Sequence, residues 1–97
     1  MSRKFKILLI EDEASLAAVV KDYLTASGYE VITAADGTSG MEMARLEAPS
    51  LILLDLMLPD LPGEDVCTAI RKWSRVPIIM LTAKSQEEDI LNGLGLG

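Results

Sequence analysis

Three apolar runs in this sequence end on oxygen-bearing side chains. ILLIEDEA, residues 7–14, leads into Glu11 and Asp12; LILLDLMLPD, residues 51–60, leads into Asp55; VPIIMLTA, residues 76–83, leads into the hydroxyl of Thr82. A chain building only a buried strand has no use for a carboxylate at position 55. There is no histidine in the sequence, which rules out Ser-His-Asp and Cys-His catalysis, histidine-ligated zinc and a phospho-histidine carrier. Any chemistry belongs to carboxylates, hydroxyls, lysines and a hard metal ion.

The rest of the composition narrows the setting. Acidic residues outnumber basic ones 15 to 9, for a formal net charge of −6, which repels phosphate backbones and anionic membrane surfaces. Direct nucleic-acid binding and membrane binding are therefore not expected. Arg3, Lys4 and Lys6 form the one close basic group and read as a solvated strand entrance. Cys67 is alone, so no internal disulfide forms and a reducing compartment is the simpler setting. The apolar runs are strand-length, and Ile7–Ile10 meets Glu11 at once, so neither a membrane helix nor a signal peptide is expected. A cytoplasmic location follows. At 97 residues and 49% hydrophobic content, residues 1–97 are expected to form one domain with a packed core.

The elements that must position these side chains alternate. Residues 5–10 read as a strand, and Leu16, Val19, Val20, Tyr23 and Leu24 then recur at helical spacing, with Asp12 placed to cap the helix and Gly28 to end it. Glu30 to Ala34 is a short β-branched strand. Asp36-Gly37 turns into a second helix through Met41, Ala44 and Ala48, closed by Pro49. Leu51 to Leu54 is a third strand, and Val66, Ala69, Ile70 and Trp73 form the inward stripe of a third helix. Pro77 to Leu81 is a fourth strand, and Ser85 with Glu88 makes a capping box for a helix carrying Ile90, Leu91 and Leu94. Four β-α units with continuous apolar strands 1, 3 and 4 define a doubly wound parallel α/β domain.

In such a sheet the carboxyl ends of all strands share one rim, where ligands bind. If strands 1 and 3 are neighbours, Glu11, Asp12 and Asp55 meet there. Two unit charges ~4 Å apart repel by about 4 kcal/mol at an effective dielectric of 20, so the cluster calls for a cation or a raised pKa. Oxygen-only ligands point to Mg²⁺. Each residue also has a plainer reading: Glu11 and Asp12 as helix caps, Asp55 as a strand-end loop residue, Thr82 as a hydroxyl bonded to its own backbone. Their joint placement at three strand ends favours a site.

Over essentially its full length the sequence resembles the receiver domain of two-component response regulators, on the segments 7–14, 51–63 and 76–83. The resemblance implies the flavodoxin-like strand order 2-1-3-4. It implies that Asp55 accepts a phosphoryl group from a sensor histidine kinase, and that Glu11, Asp12, Asp55 and the backbone carbonyl of Met57 hold Mg²⁺. It makes Thr82 the switch hydroxyl, Ala83 its small neighbour, and Pro59 and Gly63 the shapers of the site loop. A carboxylate exposed at a strand end beside a divalent cation suits in-line phosphoryl transfer.

Receivers carry a fifth strand and helix, with a lysine that contacts the phosphoryl group and an aromatic switch residue. The sequence ends before both, and neither Lys84 nor any other lysine takes that place. Strand 4 is then expected to be an open edge, either hidden by a homodimer through strand 4 and helix 4 or left with the chain only loosely folded around helix 4. That leaves a second reading, a non-phosphorylated dimerising or binding module. A haloacid-dehalogenase-type phosphatase needs a second aspartate where Met57 stands, so an enzyme is not expected. A nucleotide or flavin site needs a glycine-rich loop where Glu11-Asp12-Glu13 stands.

Overall fold

The computed structural model describes residues 5–81. Seven elements follow in order: β1 (Lys6–Ile10), α1 (Ala14–Ala26), β2 (Glu30–Ala34), α2 (Gly37–Glu47), β3 (Leu51–Asp55), α3 (Gly63–Arg71) and β4 (Ile78–Leu81). The strands form one parallel sheet in the order β2-β1-β3-β4. In register, Ile10 lies beside Ala34 on one flank and Leu54 on the other, and Asp55 lies beside Leu81. Thr82, Ala83 and the helix expected from Ser85 lie outside the described residues, as do Arg3 and Lys4. No fifth strand stands beside β4 among the described residues.

Alternation along β1 and β3 feeds two cores. Ile7, Leu9 and Leu53 meet Leu16, Val20 and Leu24 of α1 on one face. Leu8, Ile10, Ile52 and Leu54 meet Ala44 of α2 and Val66 and Ile70 of α3 on the other. Each fully buried aliphatic side chain contributes about 1.5–3 kcal/mol, so the two central strands, buried on both faces, are the stiff part of the molecule.

Helix ends follow local chemistry. α1 starts at Ala14, but its N-cap is Glu13 and not the expected Asp12. Its end is a Schellman motif, with Gly28 at φ +100°, Gly28 N donating to Thr25 O and Tyr29 N donating to Leu24 O. In α2 the Asp36 side chain accepts from Ser39 N at 2.7 Å. That helix stops at Ala48, held in the left-handed region immediately before Pro49.

Three expectations fail on burial. Val19 and Tyr23 are exposed, because α1 buries only the Leu16–Val20–Leu24 line against a flat sheet. Trp73 is not an inward residue of α3; it follows the helix end and lies exposed, with the Arg45 guanidinium 5.2 Å from its ring centroid. Nor, among the described residues, is β4 covered on both faces. Ile79 and Met80 are exposed, and among the described residues the strand pairs with β3 alone.

Candidate functional site

The rim above β1 and β3 is where the structure concentrates negative charge. β1 ends at Ile10, so Glu11 and Asp12 fall in the three-residue connection to α1, while Asp55 is the last residue of β3. One carboxylate oxygen from each of Glu11, Asp12 and Asp55 lies within 4.8 Å of the others. Neighbouring parallel strands, with both runs ending at the same height, bring together positions more than forty residues apart.

Two of the three carboxylates, those of Glu11 and Asp55, are held by nearby backbone. Glu11 N donates to Ala34 O at 2.9 Å, which ties the residue to the end of β2. The Glu11 side chain accepts from Glu13 N at 2.9 Å; Glu13 is itself the N-cap of α1, so this bond steadies the turn and is not the helix cap weighed for Glu11. Asp55 Oδ1 accepts from Met57 N at 3.0 Å. The Met57 side chain itself is exposed, consistent with a residue whose backbone faces the site.

Asp55 is fully buried, not exposed as expected at a strand end. The cause is the β3–α3 loop, which folds back over the strand end. Gly63 N donates to Leu56 O at 3.0 Å, and Met57 and Pro62 form an isolated antiparallel bridge. A Cβ at Gly63 would lie 2.7 Å from the Asp55 carbonyl oxygen and from Leu56 Cα, so only glycine lets the loop close this tightly. A cleft of about 300 Å³, bordered by Glu11, Asp12, Lys21 and Thr33, opens beside the cluster.

The electrostatics match an incomplete charge balance. Burial pushes the Glu11 carboxyl up to about 7, against the Glu13 N–H, with Asp55 and Asp12 adding to the rise. The donor set is three carboxylates, all oxygen and with no nitrogen or sulfur among the grouped residues. It fits a hard divalent cation such as Mg²⁺, which would replace the proton on Glu11.

One residue that plays no part in the sequence reading stands out. Asp60, at the tip of the β3–α3 loop, accepts from Gly37 N at 2.7 Å, from Thr38 N at 2.9 Å and from the Thr38 hydroxyl at 2.7 Å. These bonds hold its carboxyl down at about 2, the Gly37 N–H acting most strongly. Its partners lie 22 and 23 residues earlier, and no local pattern announces such a pairing.

A parallel sheet in the order 2-1-3-4, with an acidic triad where that order reverses, defines a flavodoxin-like fold. The chain belongs to the response regulator receiver domain family, whose model matches residues 7–97. It is 50% identical over 95 residues to the probable transcriptional regulator ycf27 of Porphyridium aerugineum, covering 98% of this chain and 40% of that protein. It is 47% identical over 93 residues to the alkaline phosphatase synthesis transcriptional regulatory protein PhoP of Bacillus subtilis, covering 95% and 39%. The chain thus spans about 40% of the length of these curated relatives. Among solved structures it resembles the chemotaxis response regulator CheY4 of Vibrio cholerae, with a TM-score of 0.80 and 32% identity over 98% of this chain and 82% of that one. No helix among the described residues is long and apolar enough to cross a membrane.

Proposed function

We propose that residues 1–97 act as one phospho-acceptor domain of a cytoplasmic two-component system, taking a phosphoryl group on Asp55 from a sensor histidine kinase. The observation that carries this reading is the convergence of Glu11, Asp12 and Asp55 within 4.8 Å at the ends of neighbouring strands. In the transfer, an Asp55 carboxylate oxygen forms a bond to phosphorus as the phosphorus–nitrogen bond to the kinase imidazole breaks. The imidazole leaves with its proton, and the aspartyl phosphate remains on the receiver. The reaction depends on alignment and charge balance more than on covalent help from the protein.

Glu11, Asp12, Asp55 and the Met57 carbonyl are the groups that would hold Mg²⁺. When bound, the ion supplies charge neutralisation at the phosphoryl oxygens. The chain's own residues do the rest. β3 fixes the acceptor at the sheet rim, the Met57 N–H orients one of its oxygens, and the folded loop keeps bulk water from Asp55. Thr82, next after β4, is the hydroxyl assigned to the switch. The domain is a carrier of the phosphoryl group and not a turnover enzyme.

A second reading, a non-phosphorylated module that dimerises through β4, draws support from the exposure of Ile79 and Met80 on that strand. One experiment separates the two. The chain is incubated with Mg²⁺ and acetyl phosphate, and its intact mass is measured beside that of Asp55→Asn. Gain of one phosphoryl group by the wild type alone is the expected result. Gain by both removes Asp55 from its role, and gain by neither favours the binding module.

A further inference from the structure

The first N–H groups of a helix have no partner within it and must be satisfied from outside. In α2 this is done twice. Asp36 caps the helix from within its own turn by accepting from Ser39 N, whereas Asp60 reaches in from the β3–α3 loop to take Gly37 N, Thr38 N and the Thr38 hydroxyl. A single cap is enough to start a helix, so the second set of bonds has its main consequence at its other end, in the loop.

That loop leaves Asp55, passes Met57 and returns at Gly63. Its base is closed by the Gly63 N–Leu56 O bond and the Met57–Pro62 bridge, and its tip is tied to the start of α2 by the Asp60 side chain. The anchor is well chosen. Only two residues separate the end of β2 from α2, and the last residue of β2, Ala34, accepts from Glu11 N. A closed ring therefore runs from Asp55 through Met57 to Asp60, across to Gly37, back to Ala34 and on to Glu11. The two halves of the acidic cluster are connected over the top of β1 as well as through the sheet.

We propose that Asp60 is a positioning residue for the divalent-ion pocket, holding the 56–62 loop so that the Met57 backbone keeps its place beside Asp55. The inference rests on the reading that Glu11, Asp12, Asp55 and Met57 hold Mg²⁺. Asp60 touches neither the ion nor the phosphoryl group. It acts through the loop, and its removal leaves all the proposed ligands in the chain but loosens one of them.

The test compares Asp60→Ala, Asp60→Asn and Asp36→Ala with wild type by Mg²⁺ titration calorimetry at pH 7.5, together with hydrogen exchange at the Met57 amide and a thermal melt. Asp36→Ala removes the other cap of the same helix start and leaves the loop untouched. Expected is a loss of about tenfold in Mg²⁺ affinity for Asp60→Ala, in the range seen when groups supporting metal ligands are removed. Asp60→Asn, which keeps one acceptor oxygen, recovers part of it, and Asp36→Ala stays within about twofold of wild type despite a comparable drop in melting temperature. Faster exchange at Met57 in Asp60→Ala but not in Asp36→Ala is the signature of a loosened loop. Equal affinity losses in Asp60→Ala and Asp36→Ala, or unchanged affinity and exchange in both Asp60 variants, overturn the proposal. A wild-type chain that takes up no Mg²⁺ overturns the underlying site reading, and faster Met57 exchange in Asp60→Ala then still registers the loop contact separately.

Discussion

The two connections that build the acidic rim solve the same problem differently. Between β1 and α1 there are three residues, Glu11 to Glu13, pinned at one side by the strand and at the other by the helix. Between β3 and α3 there are seven, residues 56–62, which must be folded by bonds of their own. The short connection presents side chains, because there is no slack for its backbone to turn inward. The long one presents backbone, because it can double back on Asp55. Precision in the first comes from brevity and in the second from a glycine contact and a distant carboxylate.

The sharpest way to break that contrast is Gly63→Ala. The added Cβ would meet backbone atoms at 2.7 Å that have nowhere to go, so a loss of about 3 kcal/mol is expected in urea unfolding, at the upper end of overpacking costs. Next comes a pair of substitutions that separates side-chain from backbone donors. Asp12→Asn is expected to weaken Mg²⁺ binding by about tenfold or more, since affinity follows ligand charge. Met57→Ala is expected to leave it unchanged, because the side chain points to solvent. Both are read by calorimetric titration.

A pH series sharpens the comparison further. A Glu11 carboxyl raised to about 7 holds its proton more tightly in the folded chain than its ordinary value of 4.5 allows. Its contribution to stability is therefore complete below pH 4.5 and is lost as the pH rises through about 7. The metal-free protein is expected to melt at lower temperature at pH 8 than at pH 5.5, with Glu11→Gln flattening that part of the trend. Mg²⁺ affinity moves the other way, rising to about pH 7 and then levelling as the competing proton departs. The smallest effect is expected at Glu13. As N-cap of α1 it makes no side-chain capping bond, so Glu13→Ala is expected to change stability by no more than about 0.5 kcal/mol in the same denaturation assay.

Much of this arrangement was legible from residue patterns, and the exceptions have physical causes. The central strands announced themselves because Ile7–Ile10 of β1 and Leu51–Leu54 of β3 lie between two helical layers and are apolar at every position. Glu11, Asp12 and Asp55 were visible as charges that interrupt those runs, and the resemblance to receivers supplied the strand order that unites them. Tyr23 misled because helical spacing says which residues share a face, not how wide a stripe the sheet covers, and Trp73 misled because α3 ends at Arg71, before reaching it. Asp55 was expected in solvent because a strand end says nothing of a loop that returns over it. Asp60 was invisible for a related reason: its partners are backbone amides, which every residue carries, on an element far away in sequence.

The chain contains a single tryptophan, and it sits where the last turn of α2 meets the residues following α3, beneath the Arg45 guanidinium. The start of α2 is fastened to the β3–α3 loop by Asp60, and Arg45 lies eight residues further along the same helix, about 12 Å at the usual rise per residue. The molecule therefore carries a native optical reporter at the far end of a lever. A shift in Trp73 emission as the Arg45 charge moves against its ring would register a change at that contact without a dye, a label or a substitution.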